Sequence, residues 1–404
     1  MNGRISLFLI GLPILLLSIV TIGNKEFRAQ IGEKLIYLGL FLEKPFHTSS
    51  EWIIKDLMIT NKPNVYGNSD HRSIENFKRS GSLVLSFSGS KLATLLAFAG
   101  GFFEYFGDYF NQKPYLSLLG SKAPLQKPKE EIRFLTLNAC MFFGGLPLIN
   151  GGITPASDRI ESLSALIKGL DIDFLLMQEV SFEPGLDLAK ELEKEFAHFF
   201  VRIGPNPWKL ESCLFAASKY PIISEPKFIP FPYHSLMKRG VFCIETPDFW
   251  ILNTHLEEGD NERAKQLREM EVSLIIDTMN DLKETSKKPC LLFGDLNVPK
   301  IGNGKDEYER LNLNRDFVDP YNIKYPILSE LSATCTNLIQ YYAYGENPKH
   351  ATFEIIDYAL LDKEFEEDFV LSVDQVKETL NLGSPGNSLS DHRGILLKAA
   401  IKKR

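Results

Sequence analysis

From Glu131 to the C-terminus the apolar residues follow two alternating periods. IRFLTLN (Ile132–Asn138), DFLLMQE (Asp173–Glu179), CLFAASK, VFCIET, FWILNTH, LLFGDLN, FEIIDYALL and RGILLKAAI are short apolar runs that predict strands. Helical periods lie between them. TPASDRIESLSALIKGL offers Thr154 as N-cap, Pro155 at the first helical position, and Ile160, Leu163, Ile167 and Leu170 at helical spacing. A longer helix is predicted from Asn261 to Leu282, with Leu267, Met270, Leu274, Ile275 and Leu282 on one face. Helices separated by paired strands predict a layered α/β fold rather than a simple parallel wound sheet.

The pattern ahead of Glu131 is different. Ile5 to Ile22 carries no charge and follows Arg4, which is just enough apolar chain to cross a bilayer as a helix. Segment 5–23 therefore reads as a membrane anchor, and a cleaved signal peptide on a secreted protein is the rival reading. A second apolar stretch, 83–106, has Lys91 as its only cation before Glu104. It predicts a membrane-embedded or interfacial helix, or a helix packed on the following domain. Residues 111–130 are polar with three prolines and read as a linker. The expected division is an N-terminal membrane-associated region 1–110, the linker, and a domain over 131–404.

Composition sharpens this division. Residues 1–130 hold 15 Lys/Arg against 10 Asp/Glu, whereas 131–404 hold 30 against 42. An acidic domain is a poor footprint for a phosphate backbone, so nucleic acid is the less favoured partner. The five cysteines form neither a zinc pattern nor a disulfide framework, and four lie in strand-like runs as buried thiols.

Polar residues recur at the predicted strand ends: Asn138, Gln178 with Glu179, His255, Asp295 with Asn297, Asp357, and Asp391 with His392. Oxygen and imidazole donors without a thiolate select Mg2+, or Mn2+, over zinc. The chain has no Gly-rich phosphate loop and no Gly-x-Ser-x-Gly elbow. Attack of an activated water on a phosphoester is the simplest reaction for such a pocket.

LTLNA, LLMQEV, LNTHL, FGDLN, IIDY and LSDH, in that order from Ile132 to Ile401, resemble the endonuclease/exonuclease/phosphatase superfamily. The resemblance implies a four-layer α/β sandwich, with two central mixed β-sheets flanked by helices, to which the apolar segments ahead of it add an N-terminal hydrophobic helical extension. It implies Glu179, Asn138 and Asp391 at a metal, His255 on the phosphate, and Asp295 and Asn297 positioning the water. His392 would be the general base, oriented by Asp357. ESCLFAASKYPI and LMKRGVFCIE are similar to the neutral sphingomyelinase branch. That implies hydrolysis of a membrane phospholipid, sphingomyelin to ceramide and phosphocholine, with Arg239 and Lys238 binding substrate and the N-terminal segments meeting the bilayer. GDLNVPK and EIIDYAL depart from the inositol phosphatases of the superfamily; a nuclease or another phosphatase of the superfamily is the alternative.

Overall fold

The computed structural model describes residues 25–60, 93–125, 130–142, 145, 153–205, 211–233, 237–300, 305–327, 329, 331–336, 352–380 and 388–402. The apolar segment 5–23 lies outside these residues, as do residues 83–92 of the second one. Two helices lead the chain, α1 (Lys25–Thr60) and α2 (93–111). There follow β1 (Leu116–Leu119), β2 (Ile132–Met141), α3 (Ala156–Gly169), β3 (Phe174–Val180), α4 (Phe182–Glu191), β4 (His198–Val201) and β5 (Phe215–Ser218). Next come β6 (Lys227–Pro230), β7 (Gly240–Glu245), β8 (Trp250–His255), α5 (Glu262–Ser286), β9 (Cys290–Asp295), α6 (Lys305–Leu311) and α7 (Leu313–Asp316). The chain continues through β10 (Phe317–Val318), α8 (Pro320–Lys324), β11 (Cys335–Thr336) and β12 (Phe353–Glu354) to β13 (Asp357–Asp362), β14 (Phe369–Val376) and β15 (Gly394–Ile401).

Seven strands form one mixed sheet in the order β1-β4-β5-β3-β2-β15-β14, and six form another in the order β10-β13-β9-β8-β7-β6. The sheets face each other across an apolar core in which Phe134 stacks on Phe174 and Phe293 and meets Phe249 edge-on. A second core lies between the larger sheet and α3 and α4, and a third between the smaller sheet and α5. Helix, sheet, sheet, helix: this is the expected four-layer sandwich. Each sheet contains one parallel pair, β2 with β3 and β8 with β9. Their four C-terminal ends deliver Asn138, Glu179, His255 and Asp295 to the same side of the molecule.

Between the sheets the core holds one polar bridge. Gln178 Nε2 donates to Asn253 Oδ1 at 2.7 Å and to Thr136 Oγ1 at 3.2 Å. Asn253 Nδ2 donates to the Met177 and Phe215 carbonyls, each at 3.1 Å. All three side chains are buried, so these bonds form without competing water and fix one sheet against the other.

The stretch expected as a linker contributes structure. Leu116–Leu119 pairs antiparallel with β4 and forms an edge of the larger sheet, while Tyr115 enters the core against Phe200 and Phe242. Its LSLL alternation was too short a run to be read as a strand among prolines. Helix α5 also departs from its expected face. Asn261 caps it, accepting the Ala264 N–H at 3.0 Å, but Met270 is exposed and the buried stripe includes Arg268 and Glu271. The helix is rotated to bring those two polar side chains onto the loop that follows His255. Cys140, Cys213, Cys243 and Cys290 are buried free thiols, as their apolar settings predict.

Helices α1 and α2 run antiparallel in backbone contact. A methyl group built on Gly32 would lie 2.6 Å from the Gly107 carbonyl, and one on Gly39 2.7 Å from the Gly100 carbonyl. The pair docks on the sandwich through Ile36 of α1, buried in the core behind the larger sheet, and through charge. Arg202, at the end of β4, reaches Glu104 and Asp108 of α2, the latter at 2.8 Å. His47 of α1 meets Glu183 of α4 at 2.7 Å. Among the described residues no helix is long and apolar enough to cross a membrane.

Gly294 sets how closely β8 and β9 approach beside the site. Its φ is +152°, and a Cβ there would stand 2.0 Å from the Thr254 carbonyl oxygen. Gly294→Ala is expected to destabilise the fold by about 3 kcal/mol, combining a left-handed backbone penalty with overpacking. Urea unfolding of the two proteins measures this.

Candidate active site

At the C-terminal end of β2, Asn138 is buried and donates from Nδ2 to Glu179 Oε1 and to Asp295 Oδ2, each at 3.0 Å. It thereby ties β3 of one sheet to β9 of the other. Glu179 adopts a left-handed backbone with φ of 57°, and Asn297 does so with φ of 51°. Non-glycine residues occupy this region at an energetic cost and chiefly where surrounding structure enforces it, as at functional sites. The Asn297 N–H donates to Asp295 Oδ1 at 2.9 Å, and its Nδ2 to the Leu256 carbonyl at 3.1 Å.

Two histidines flank Asp295. His255 Nε2 lies 3.7 Å from Asp295 Oδ2 and 4.0 Å from Glu179 Oε1. His392 Nε2 lies 3.9 Å from the same Asp295 oxygen, and its Nδ1 sits 2.9 Å from Asp357 Oδ2. Asp357 begins β13 directly opposite Asp295 in the antiparallel register. The segment that carries His392 is pinned from below: Ser390 Oγ donates to the Asn138 carbonyl at 2.5 Å, and Thr379 Oγ1 to the His392 carbonyl at 2.8 Å. Buried Arg159 of α3 gives further support, donating to the carbonyls of Thr154, Ala139, Cys140 and Leu389.

The electrostatics of the cluster are lopsided toward negative charge. Burial, then repulsion from Asp391, pushes the Glu179 carboxyl up to about 7, against the hydrogen bond from Asn138. Burial and the neighbouring Asp357 raise Asp295 to about 6. His255 is held well below the usual histidine range by burial, with Arg239 and His392 adding to the effect. His392 goes the other way: burial opposes its charge, but contacts with Cys335 and Asp357 outweigh it. The Cys335 thiol is itself pushed up to about 11, and Asp357 is the carboxyl that His392 contacts directly. The two imidazoles that flank Asp295 are thus shifted in opposite directions.

Every residue expected at strand ends for metal or catalytic roles borders this cluster. Asp391 lies at its margin, accepting from Ser390 Oγ at 3.4 Å and acting on Glu179 through charge. A cluster of carboxyl groups in which Glu179 and Asp295 are both raised, set among amide and imidazole donors, fits a hard divalent cation. Glu179, Asn138 and Asp391 are the residues that would hold it. Among the described residues, Asp295, Asp357 and His392 form the tightest group able to ligate a metal, with ligand atoms within 4.8 Å of one another. Within that group Asp357 and His392 are already in contact with each other at 2.9 Å. Lys238 turns its Nζ to the Pro205 carbonyl at 3.1 Å, and Arg239 is buried beneath the loop after His255. Sequence reasoning missed the supporting residues Arg159, Arg268, Glu271 and Asn253, which read as ordinary helix or strand positions; a charged residue on the apolar side of a helical period was the available signal.

No protein-family model matches the chain, and no curated protein matches it. Among solved structures it is similar to SmcL, with 16% identity over 66% of this chain and 98% of that one and a TM-score of 0.50. It is also similar to TDP2 from C. elegans, with 15% identity over 67% of this chain and 75% of that one at a TM-score of 0.50. A humanized D. rerio TDP2 gives 13% identity over 67% and 99% of the chains, again at 0.50. At such identities the likeness is one of fold: two mixed sheets packed face to face and flanked by helices.

Linkage gives the site a testable signature. A carboxyl raised from 4.5 to about 7 favours its protonated form, so its contribution is present below pH 4.5 and lost as pH rises through 7. In EDTA, Glu179→Gln is expected to be more stable than the parent at about pH 8, the gain vanishing toward pH 4. Mg2+ should stabilise the parent at the higher pH and leave the variant unmoved. Urea unfolding at both pH values, with and without the ion, checks both statements.

Proposed function

We propose that the protein is a Mg2+-dependent phosphodiesterase acting on a membrane phospholipid, with sphingomyelin cleaved to ceramide and phosphocholine. The observation that carries the hydrolytic part is the meeting of Glu179, Asn138, Asp295, His255 and the His392–Asp357 pair at the ends of strands from both sheets. Bound at Glu179, Asn138 and Asp391, Mg2+ would supply positive charge to polarise the phosphoester and draw His392 toward the neutral imidazole that a base requires. Asp357 fixes the His392 ring by its Nδ1 and directs Nε2 at the space beside Asp295, where an attacking water would give up its proton. Asp295, with Asn297 holding its backbone turn, accepts a hydrogen bond from that water and orients it. Neutral His255 donates from its ring to a phosphate oxygen on the opposite side of Asp295. As the water oxygen bonds to phosphorus, the phosphorus–oxygen bond to ceramide breaks and the departing alkoxide takes its proton from solvent.

The lipid part rests on the sequence likeness around Lys219-Tyr220-Pro221-Ile222 and on the helix pair. The only charged residues of α2, Glu104 and Asp108, both turn inward to Arg202. Its outer face is left as Leu95, Phe98, Phe102, Tyr105 and Tyr109, all exposed at helical spacing, with Phe27, Leu38 and Phe41 of α1 also exposed. An uncharged aromatic face of this kind suits the headgroup boundary of a bilayer, and the apolar segment 5–22 leads straight into α1. The pair also borders the site: Glu183, which binds His47, lies on the first turn after β3, four residues beyond Glu179. A bilayer against this face would bring its headgroups beside the catalytic strand ends, and we assign the protein to a membrane surface.

Full-length protein should release phosphocholine from sphingomyelin liposomes with Mg2+ and not with EDTA. His392→Ala should lower that rate about 10²- to 10⁴-fold. Nicking of plasmid DNA without phosphocholine release would instead make this a nuclease. Replacing both Phe98→Glu and Phe102→Glu is expected to cut liposome turnover about tenfold or more, leaving a soluble diester such as bis(4-nitrophenyl) phosphate unaffected. Equal loss on both substrates would remove the bilayer-facing role.

A further inference from the structure

The two active-site histidines are held in different ways. His392 has an orienting hydrogen bond from its Nδ1 to Asp357. His255 has none: its Nδ1 is buried and finds no hydrogen-bond partner among the described residues. The orientation of the His255 ring must then come from its backbone and packing. That backbone is clamped with unusual thoroughness. The Leu256 N–H donates to the Asp295 carbonyl at 3.0 Å, and the Leu256 carbonyl accepts from Asn297 Nδ2 at 3.1 Å. The Glu257 N–H donates to Glu271 Oε2 at 2.9 Å. Arg268 Nη1 donates to the carbonyls of Glu257 and Gly259, both at 2.8 Å, while its Nε and Nη2 grip Glu307 at 2.7 Å.

Arg239 completes the clamp from the neighbouring strand. β7 pairs with β8 at Val241↔Thr254, and the same antiparallel register sets Arg239 opposite Leu256. The side chain is only 6% exposed. Its Nη1 donates to the Leu256 carbonyl and reaches the His255 carbonyl at 3.4 Å, and its Nε lies 3.5 Å from the Glu257 carboxylate. A planar fork touching three consecutive residues of one loop holds that loop in a way a lysine cannot reproduce. We infer that Arg239 is a positioning residue, which fixes the His255–Glu257 backbone and through it aims the His255 imidazole, in place of the substrate contact its sequence position suggests. This rests on the phosphodiesterase reading of the site, and deepens it.

The roles separate experimentally. Arg239→Lys and Arg239→Met are compared with the parent in full-length protein, using bis(4-nitrophenyl) phosphate with Mg2+ and inorganic phosphate as competitor. A positioning role predicts kcat lower by about 10²-fold, with KM and the phosphate inhibition constant within about twofold of the parent. In 15N-histidine-labelled protein without substrate, the His255 ring resonances, assigned through His255→Gln, should shift while those of His392 stay in place. A rise in KM and in the inhibition constant with kcat retained, and an unmoved His255 signal, would make Arg239 a phosphate ligand and overturn the inference. If Arg239→Met does not fold, Glu271→Gln reaches the same loop through the Glu257 N–H and should give the same kcat loss at constant KM. A parent protein without diester turnover would end the phosphodiesterase reading alone, because the ring resonances would still decide what Arg239 does.

Discussion

Two sheets, one built from the first and last strands of the chain and the other from the middle ones, must stay in fixed register for any pocket to exist between their ends, and one hydrogen-bonded trio does most to impose it. Gln178 and Asn253 meet across the core at 2.7 Å, with Thr136 behind them. Gln178 is the residue before Glu179, and Asn253 lies two residues before His255. A slip between the sheets would leave buried amides unpaired, which is more costly than losing apolar contact of the same size. The aromatic stack around Phe134 supplies the bulk of the attraction, but apolar faces slide where directional bonds do not. The geometry of the site is therefore inherited from a bridge one residue below it.

What stands on that bridge is a cluster of like charges that would not gather without compensation. Asn138 provides part of it by donating to carboxylates from both sheets. The two histidines divide the remainder unequally, since Asp357 faces His392 and the cation Arg239 stands near His255. Similar side chains are thus shifted in opposite directions by their neighbours. This suits a reaction in which one group takes a proton and another gives a hydrogen bond.

The strand ends were legible in the sequence because each site residue closes or opens an apolar run, and a carboxylate or imidazole there stands out against residues that would simply turn the chain. The layered fold was legible for the same reason, as the period changed with each element. Strand β1 was not, since four residues between prolines carry too little periodicity to register. The inward turn of Arg268 and Glu271 was hidden by their position on a helix whose apolar residues suggested a face about one residue away. Arg239 sat where a substrate contact was expected, and only the register of β7 on β8 reveals which carbonyls it meets. Side chains that support rather than react leave little trace in a sequence, because what defines them is the partner across the fold.

The short strand β1 makes the front of the chain inseparable from the sandwich. It covers one side of β4, and its other side is the rim of the sheet. A protein trimmed to start at Glu131 would uncover the N–H and C=O groups of β4 and strip Arg202 of both its acidic partners. Bare strand edges recruit other strands, so such a fragment would tend toward edge-to-edge self-association. The front of the chain thus meets the sandwich through a four-residue strand as well as through Arg202, His47 and the buried Ile36.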